Sequence, residues 1–95
     1  MQNLTASLKR EIIDTARICG VKRLILFGSR ARGDYLDCSD IDLAVLGGDA
    51  LRFKFFLDES SHTLLKFDVV DLSGIKNTAL LNAIATDGVI LYDET

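Results

Sequence analysis

Apolar positions along the chain follow two rhythms in turn. Leu4, Leu8, Ile12, Ala16 and Cys19, joined by Ile13, fall three or four residues apart, with Thr5 or Ser7 available as a cap and Gly20 as a stop. That spacing predicts an amphipathic helix. Leu24-Ile25-Leu26-Phe27 is a short unbroken apolar run ending at Gly28-Ser29, the pattern of a buried strand entering a turn. Ser29 is placed to cap a short helix through Ala31, and Gly33 to end it.

A second apolar run, Ile41 to Leu46, is closed by the turn signal Gly47-Gly48-Asp49 and reads as a second strand. Leu51, Phe55, Leu57 or Asp58, and Leu64 or Leu65 predict a helix from about Ala50 to Thr63, followed by a third strand from Phe67 to Leu72 that Ser73-Gly74 breaks. Asn77 or Thr78 is placed to cap a last helix carrying Leu80, Leu81, Ile84 and Ala85, which Gly88 stops before a terminal strand, Val89-Ile90-Leu91-Tyr92. Strands alternating with helices predict an α/β (α+β) chain with helices packed on one sheet, and leave strand order and direction open. One domain over residues 1–95 is the expectation.

Composition excludes more than it identifies. The formal net charge of −3 gives no basic footprint for neutralising many phosphates, which disfavours an extended nucleic acid; acidic residues gathered around a bound cation would exaggerate that count. Cys19 and Cys38, without CxxC spacing or a histidine cluster, offer neither a zinc site nor a disulfide framework. No apolar stretch approaches the roughly 20 residues of a membrane span, and the N-terminus is not that of a signal peptide, so the chain is expected to be cytoplasmic. His62 lies in a polar stretch and is read as solvated, as are Lys22 and Arg23.

The chemistry concentrates between residues 28 and 71. Gly28 has no Cβ, so backbone there can approach a ligand closely, and a helix beginning at Ser29 would aim N–H groups and a hydroxyl at a phosphate. Gly28 to Gly33 has the glycine spacing of a P-loop, but Asp34 and Tyr35 stand where that motif needs Lys and Ser or Thr. In Ser39-Asp40-Ile41-Asp42-Leu43 the two carboxylates alternate with apolar residues, so an extended strand projects both from one face. Hard oxygen ligands so close together suit Mg²⁺ or Mn²⁺; the alternative is a capped, solvated strand start. Asp68 and Asp71 both interrupt the third strand's apolar run, and alternation allows only one to face the first pair. Asp68 is the preferred third ligand, with Asp71 read as a strand-end turn or cap.

The run Leu26-Phe27-Gly28-Ser29-Arg30-Ala31-Arg32-Gly33, with Ser39-Asp40-Ile41-Asp42-Leu43-Ala44-Val45 and Phe67-Asp68-Val69-Val70-Asp71-Leu72, resembles the minimal nucleotidyltransferase group of the DNA polymerase β-like nucleotidyltransferase superfamily. The resemblance extends from the first helix to the final strand. It implies a mixed β-sheet with flanking helices, Asp40, Asp42 and Asp68 as catalytic metal ligands for two Mg²⁺ ions (or Mn²⁺), and Gly28 and Ser29 holding the triphosphate of ATP. Asp68 would orient or deprotonate the acceptor hydroxyl. Arg30 and Arg32 could neutralise phosphate charge, the alternative being solvated cations on a short exposed helix. Larger members of the superfamily carry a second, usually helical domain, and similar stand-alone domains pair with a helical HEPN protein as the antitoxin of a toxin–antitoxin pair, some transferring AMP to a tyrosine of the toxin. The implied function is thus a partner-dependent adenylyltransferase. The competing reading is a catalytically weak nucleotide- and metal-binding module that neutralises its partner by occlusion, and a homo-oligomer is also open.

Overall fold

The computed structural model describes residues 4–36, 39–60 and 65–94. Their elements follow the order α1 (Ala6–Ile18), β1 (Arg23–Phe27), α2 (Ser29–Arg32), β2 (Ile41–Leu46), α3 (Ala50–Ser60), β3 (Phe67–Asp71), α4 (Thr78–Asp87) and β4 (Val89–Asp93). The four strands form one mixed sheet in the order β3-β2-β1-β4. β1 pairs antiparallel with β2 and with β4, and β2 pairs parallel with β3. A parallel pair needs a crossover, and α3 supplies it.

Alternation along the strands divides the sheet between two cores. Leu24 and Leu26 of β1, Ile41, Leu43 and Val45 of β2 and Phe67 of β3 join Ile12 and Ala16 of α1 and Phe53 and Leu57 of α3 in the larger core. The opposite face carries a smaller one, Phe27, Ala44 and Ile84, with Ile25, Val70 and Leu80 packed against it. α4 packs on that second face through Ile84 and Leu80.

Local chemistry fixes the helix ends. Thr5 caps α1, its hydroxyl accepting from the N–H of Leu8 at 3.1 Å, and Asn77 caps α4 by accepting from Leu80 at 3.2 Å. Asp49, read from sequence only as a turn residue, caps α3 through the N–H of Arg52 at 3.1 Å. The turn before it is tight. A Cβ on Gly48 would stand 2.6 Å from both the Cys19 carbonyl oxygen and the Val21 nitrogen, and its φ is +74°, so a side chain there would force backbone apart.

Two expectations need correction. Ser29 does not cap α2: Gly28 occupies the cap position with φ 77° and ψ −157°, a region essentially restricted to glycine, and its carbonyl accepts from Ala31 and Arg32 at 3.1 Å each. Ser29 is the first helical residue, and the helix runs one residue past Ala31. β3 ends at Asp71 rather than Leu72 because the Asp71 carboxylate turns back to accept from the Ser73 N–H at 3.0 Å and hydroxyl at 2.6 Å. α3 is described from Ala50 to Ser60; Thr63, where the expected helix ends, and His62 lie outside the described residues, as does Cys38. No described helix is long and apolar enough to cross a membrane.

Candidate active site

The sheet's own register assembles the acidic residues. Phe27 of β1 is the partner of Asp42 on β2, and Asp42 is the partner of Asp68 on β3. The three form a row across one sheet face, continuing the edge of the smaller core where Phe27 marks the last apolar position. Asp68 therefore points where alternation placed it, beside Asp42. Asp71, of opposite parity, is exposed and occupied by Ser73, which holds its carboxyl below the usual carboxylate range.

Asp42 is the electrostatic centre of the row. It is half-buried, and its carboxyl is pushed above the ordinary aspartate value by desolvation first, then by the charges of Asp68 and Asp40, with Arg32 acting weakly in the opposite sense. Like charges held together in a partly desolvated place favour protonation or a cation. Gly28 is what admits the carboxylate here, since a Cβ on that residue would overlap Asp42 Oδ2. The strand-to-helix turn and the acidic strand thus meet in atomic contact range, with the turn's backbone against the carboxylate.

Among the described residues, no three or more His, Cys, Asp or Glu side chains converge closely enough to enclose a metal ion. Asp40 and Asp68 are both exposed. The donor set nevertheless fits a hard divalent cation: carboxylate oxygens only, unrelieved repulsion centred on Asp42, and a glycine cradle that a Cβ would fill.

The two arginines of α2 have different surroundings. Arg30, expected to meet phosphate or else to be a solvated cation, is only 6% exposed. Its Nε donates to the Ser39 carbonyl at 3.1 Å, and its guanidinium carbon lies 4.7 Å from the centroid of the Tyr35 ring. Sequence reasoning missed this because a four-residue helix shows no periodicity from which burial could be read. Arg32 is exposed and bridges Asp34 at 3.3 Å and Asp87 at 3.4 Å, contacts that keep its guanidinium firmly protonated. Ser29 is half-buried at the start of α2.

A mixed four-stranded sheet that presents a glycine-led helix start against a row of aspartates defines a class of small domain built to handle phosphate and divalent cations. Residues 8–95 match the family model described as Polymerase beta, Nucleotidyltransferase, and the chain belongs to that family. Two proteins of Methanocaldococcus jannaschii, each bearing the name "Putative protein adenylyltransferase", are 40% identical over 62 residues and 41% identical over 58. These stretches cover 65% and 55% of this chain and 60% and 62% of the relatives, so the chain matches less than two thirds of their length. A crystal structure of a toxin-antitoxin with AMP-PNP superposes with a TM-score of 0.74 at 28% identity, covering 90% of this chain and 73% of that one. A mutant of the toxin-antitoxin MntA-HpeT gives a TM-score of 0.70 at 31% identity, over 90% and 72% of the two chains. The resemblance to minimal nucleotidyltransferases and the expected mixed sheet with flanking helices are borne out.

Proposed function

We propose that the chain is a Mg²⁺-dependent adenylyltransferase that moves AMP from ATP to a hydroxyl on a partner protein, a helical HEPN-type toxin that it neutralises. The observation that carries this reading is the row of Asp42 and Asp68 as register partners, with Gly28 packed against Asp42. Similarity to putative protein adenylyltransferases and to toxin-antitoxin structures supports the adenylyl group and the toxin partner.

Asp40, Asp42 and Asp68 would hold Mg²⁺, or Mn²⁺ in its place. The ions, when bound, supply charge neutralisation and orientation of the reacting phosphate oxygens. Gly28 allows the triphosphate to lie against backbone, and Ser29 offers a hydroxyl donor. With only four residues α2 carries a small dipole, so close approach and the hydroxyl contribute more there than the helix end does. Arg32, exposed at the mouth, can exchange a carboxylate partner for a phosphate oxygen. Asp68, solvent-facing beside Asp42, takes the proton of the acceptor hydroxyl. That oxygen bonds to the α-phosphorus, the bond from phosphorus to the bridging oxygen breaks, and pyrophosphate leaves.

The test is incubation with α-labelled ATP and Mg²⁺, with and without the candidate partner. Label on the partner that disappears with Asp40→Asn and Asp42→Asn supports transfer. If the double variant still neutralises the partner while transfer is lost, the protein acts by occlusion, and the enzymatic reading is overturned as the cause of neutralisation.

A further inference from the structure

We propose that Arg30 is a positioning residue, which clamps the segment between α2 and β2 so that Asp40 is presented beside Asp42, and that it is not a phosphate ligand. This rests on the reading of Asp40 and Asp42 as metal ligands.

The geometry is that of a tie between two points of one segment. Arg30 leaves α2 pointing inward and is nearly as buried as the apolar core. Its Nε reaches the carbonyl of Ser39, the residue immediately before Asp40. The same guanidinium stacks over Tyr35, four residues upstream of Ser39. Ser39 is itself anchored, its N–H donating to the Leu36 carbonyl at 3.0 Å and its hydroxyl accepting from the Leu36 N–H at 2.9 Å. Arg30 thus fixes both the ring at one end of the segment and the peptide that carries Asp40 at the other.

An arginine suits this role for reasons that a lysine cannot match. Its planar guanidinium stacks on a ring face and donates in a fixed direction at the same time. A buried cation is costly unless its donors are used, so the site retains it because the contacts hold it in place. Its engagement with a carbonyl and a ring directs it into the segment, whereas Arg32 on the same helix is exposed among carboxylates.

The experiment measures Mn²⁺ affinity of the nucleotide-free protein by titration calorimetry, together with amide exchange at Asp40, for wild type, Arg30→Met, Arg30→Lys and Tyr35→Leu. Arg30→Met should speed exchange at Asp40 and weaken Mn²⁺ binding by about 10-fold or more, the scale on which outer-shell residues act. Arg30→Lys should restore little, and Tyr35→Leu, which leaves the cation in place, should show a smaller loss in the same direction. In an Asp40→Asn background Arg30→Met should cost no further Mn²⁺ affinity, because the two act through one group. ATP KM at saturating metal should hardly move.

The proposal is overturned if the Arg30→Met penalty persists in full in the Asp40→Asn background, if Arg30→Lys restores wild-type Mn²⁺ binding, or if KM for ATP rises while Mn²⁺ affinity stays. Failure of the underlying reading looks different: wild type and Asp40→Asn would bind Mn²⁺ equally weakly, while exchange at Asp40 still responded to Arg30.

Discussion

Asp42 and Asp68 are register partners in the only parallel strand pair among the described residues, and so project side by side from the same sheet face. Antiparallel β1 delivers Phe27 to the same row, which makes Asp42 the carboxylate with one apolar and one acidic neighbour.

Replacing Asp42 should therefore stabilise the metal-free protein. Its folded-state pKa is raised, so the cost of ionising it in the fold is absent below the unfolded-state pKa and develops as pH rises through the folded value. At neutral pH that cost is fully present. Removing the charge relieves it, so the variant should melt at a higher temperature than wild type in the absence of metal. Asp42→Asn measured by calorimetry in EDTA should show this gain, and the gain should shrink on acidification toward the carboxylate range. With Mg²⁺ and ATP present the order should reverse, because only the wild type gains ligand binding.

Gly28 and Gly33 bracket α2, and alanine should separate their roles. Gly28→Ala combines a backbone conformation available essentially to glycine with overlap against the Asp42 carboxylate. It should cost roughly 2–3 kcal/mol, seen as a fall in Tm of roughly 10 °C or more. Gly33 is also left-handed but open, with nothing within 4 Å of a built Cβ, so Gly33→Ala should cost only about 1 kcal/mol and leave Mn²⁺ affinity unchanged. Equal penalties in thermal melts would contradict the argument.

The two acidic residues of β3 should behave as opposites. Asp71 is bound to Ser73 and faces away from the row, so Asp71→Asn should leave Mn²⁺ affinity unaltered while Asp68→Asn lowers it by about 10-fold or more. Asp71 has a lowered folded-state pKa; its favourable contribution is present above the unfolded-state pKa and lost as pH falls through the folded one. Asp71→Asn should therefore lower the neutral plateau of a Tm-against-pH curve slightly and leave its acid end unchanged, which flattens the acid limb.

Arg32 joins α2 to the end of α4 through Asp87. Because Arg32 is exposed and solvent screens the pair, Asp87→Asn should change stability little. Arg32→Gln should instead weaken ATP binding several-fold with Mn²⁺ affinity nearly constant, a split that titrations with metal alone and with metal plus nucleotide would resolve.

Much of this site could be read from sequence because its logic is periodic. Asp40 and Asp42 alternate with Ile41 and Leu43, and the parity of Asp68 against Asp71 decided which of the two could face them; the register of β2 and β3 then placed Asp68 as expected. Strand order could not be read, because nothing in the local pattern of Val89 to Tyr92 says that it pairs with Arg23 to Phe27 at the opposite edge from β3. Arg30 was illegible for a different reason. Its burial depends on Tyr35 and the Ser39 carbonyl, partners chosen by the path of an irregular segment. Ser29 was misplaced by one position because its composition fits a cap, whereas the cap's dihedral angles admit only Gly28.

β1 lies in the interior of the sheet, yet its second neighbour is the last strand along the chain, more than sixty residues after it. During synthesis the hairpin of β1 and β2 can form well before β4 leaves the ribosome. At ordinary elongation rates the gap between the end of β2 and the end of β4 takes roughly 2–10 s. Throughout that interval Leu24, Ile25 and Leu26 present unpaired N–H and C=O groups along an apolar edge, the condition under which nascent chains pair with one another. Yield of the protein in cells should accordingly depend on how quickly translation proceeds from codon 46 to codon 93.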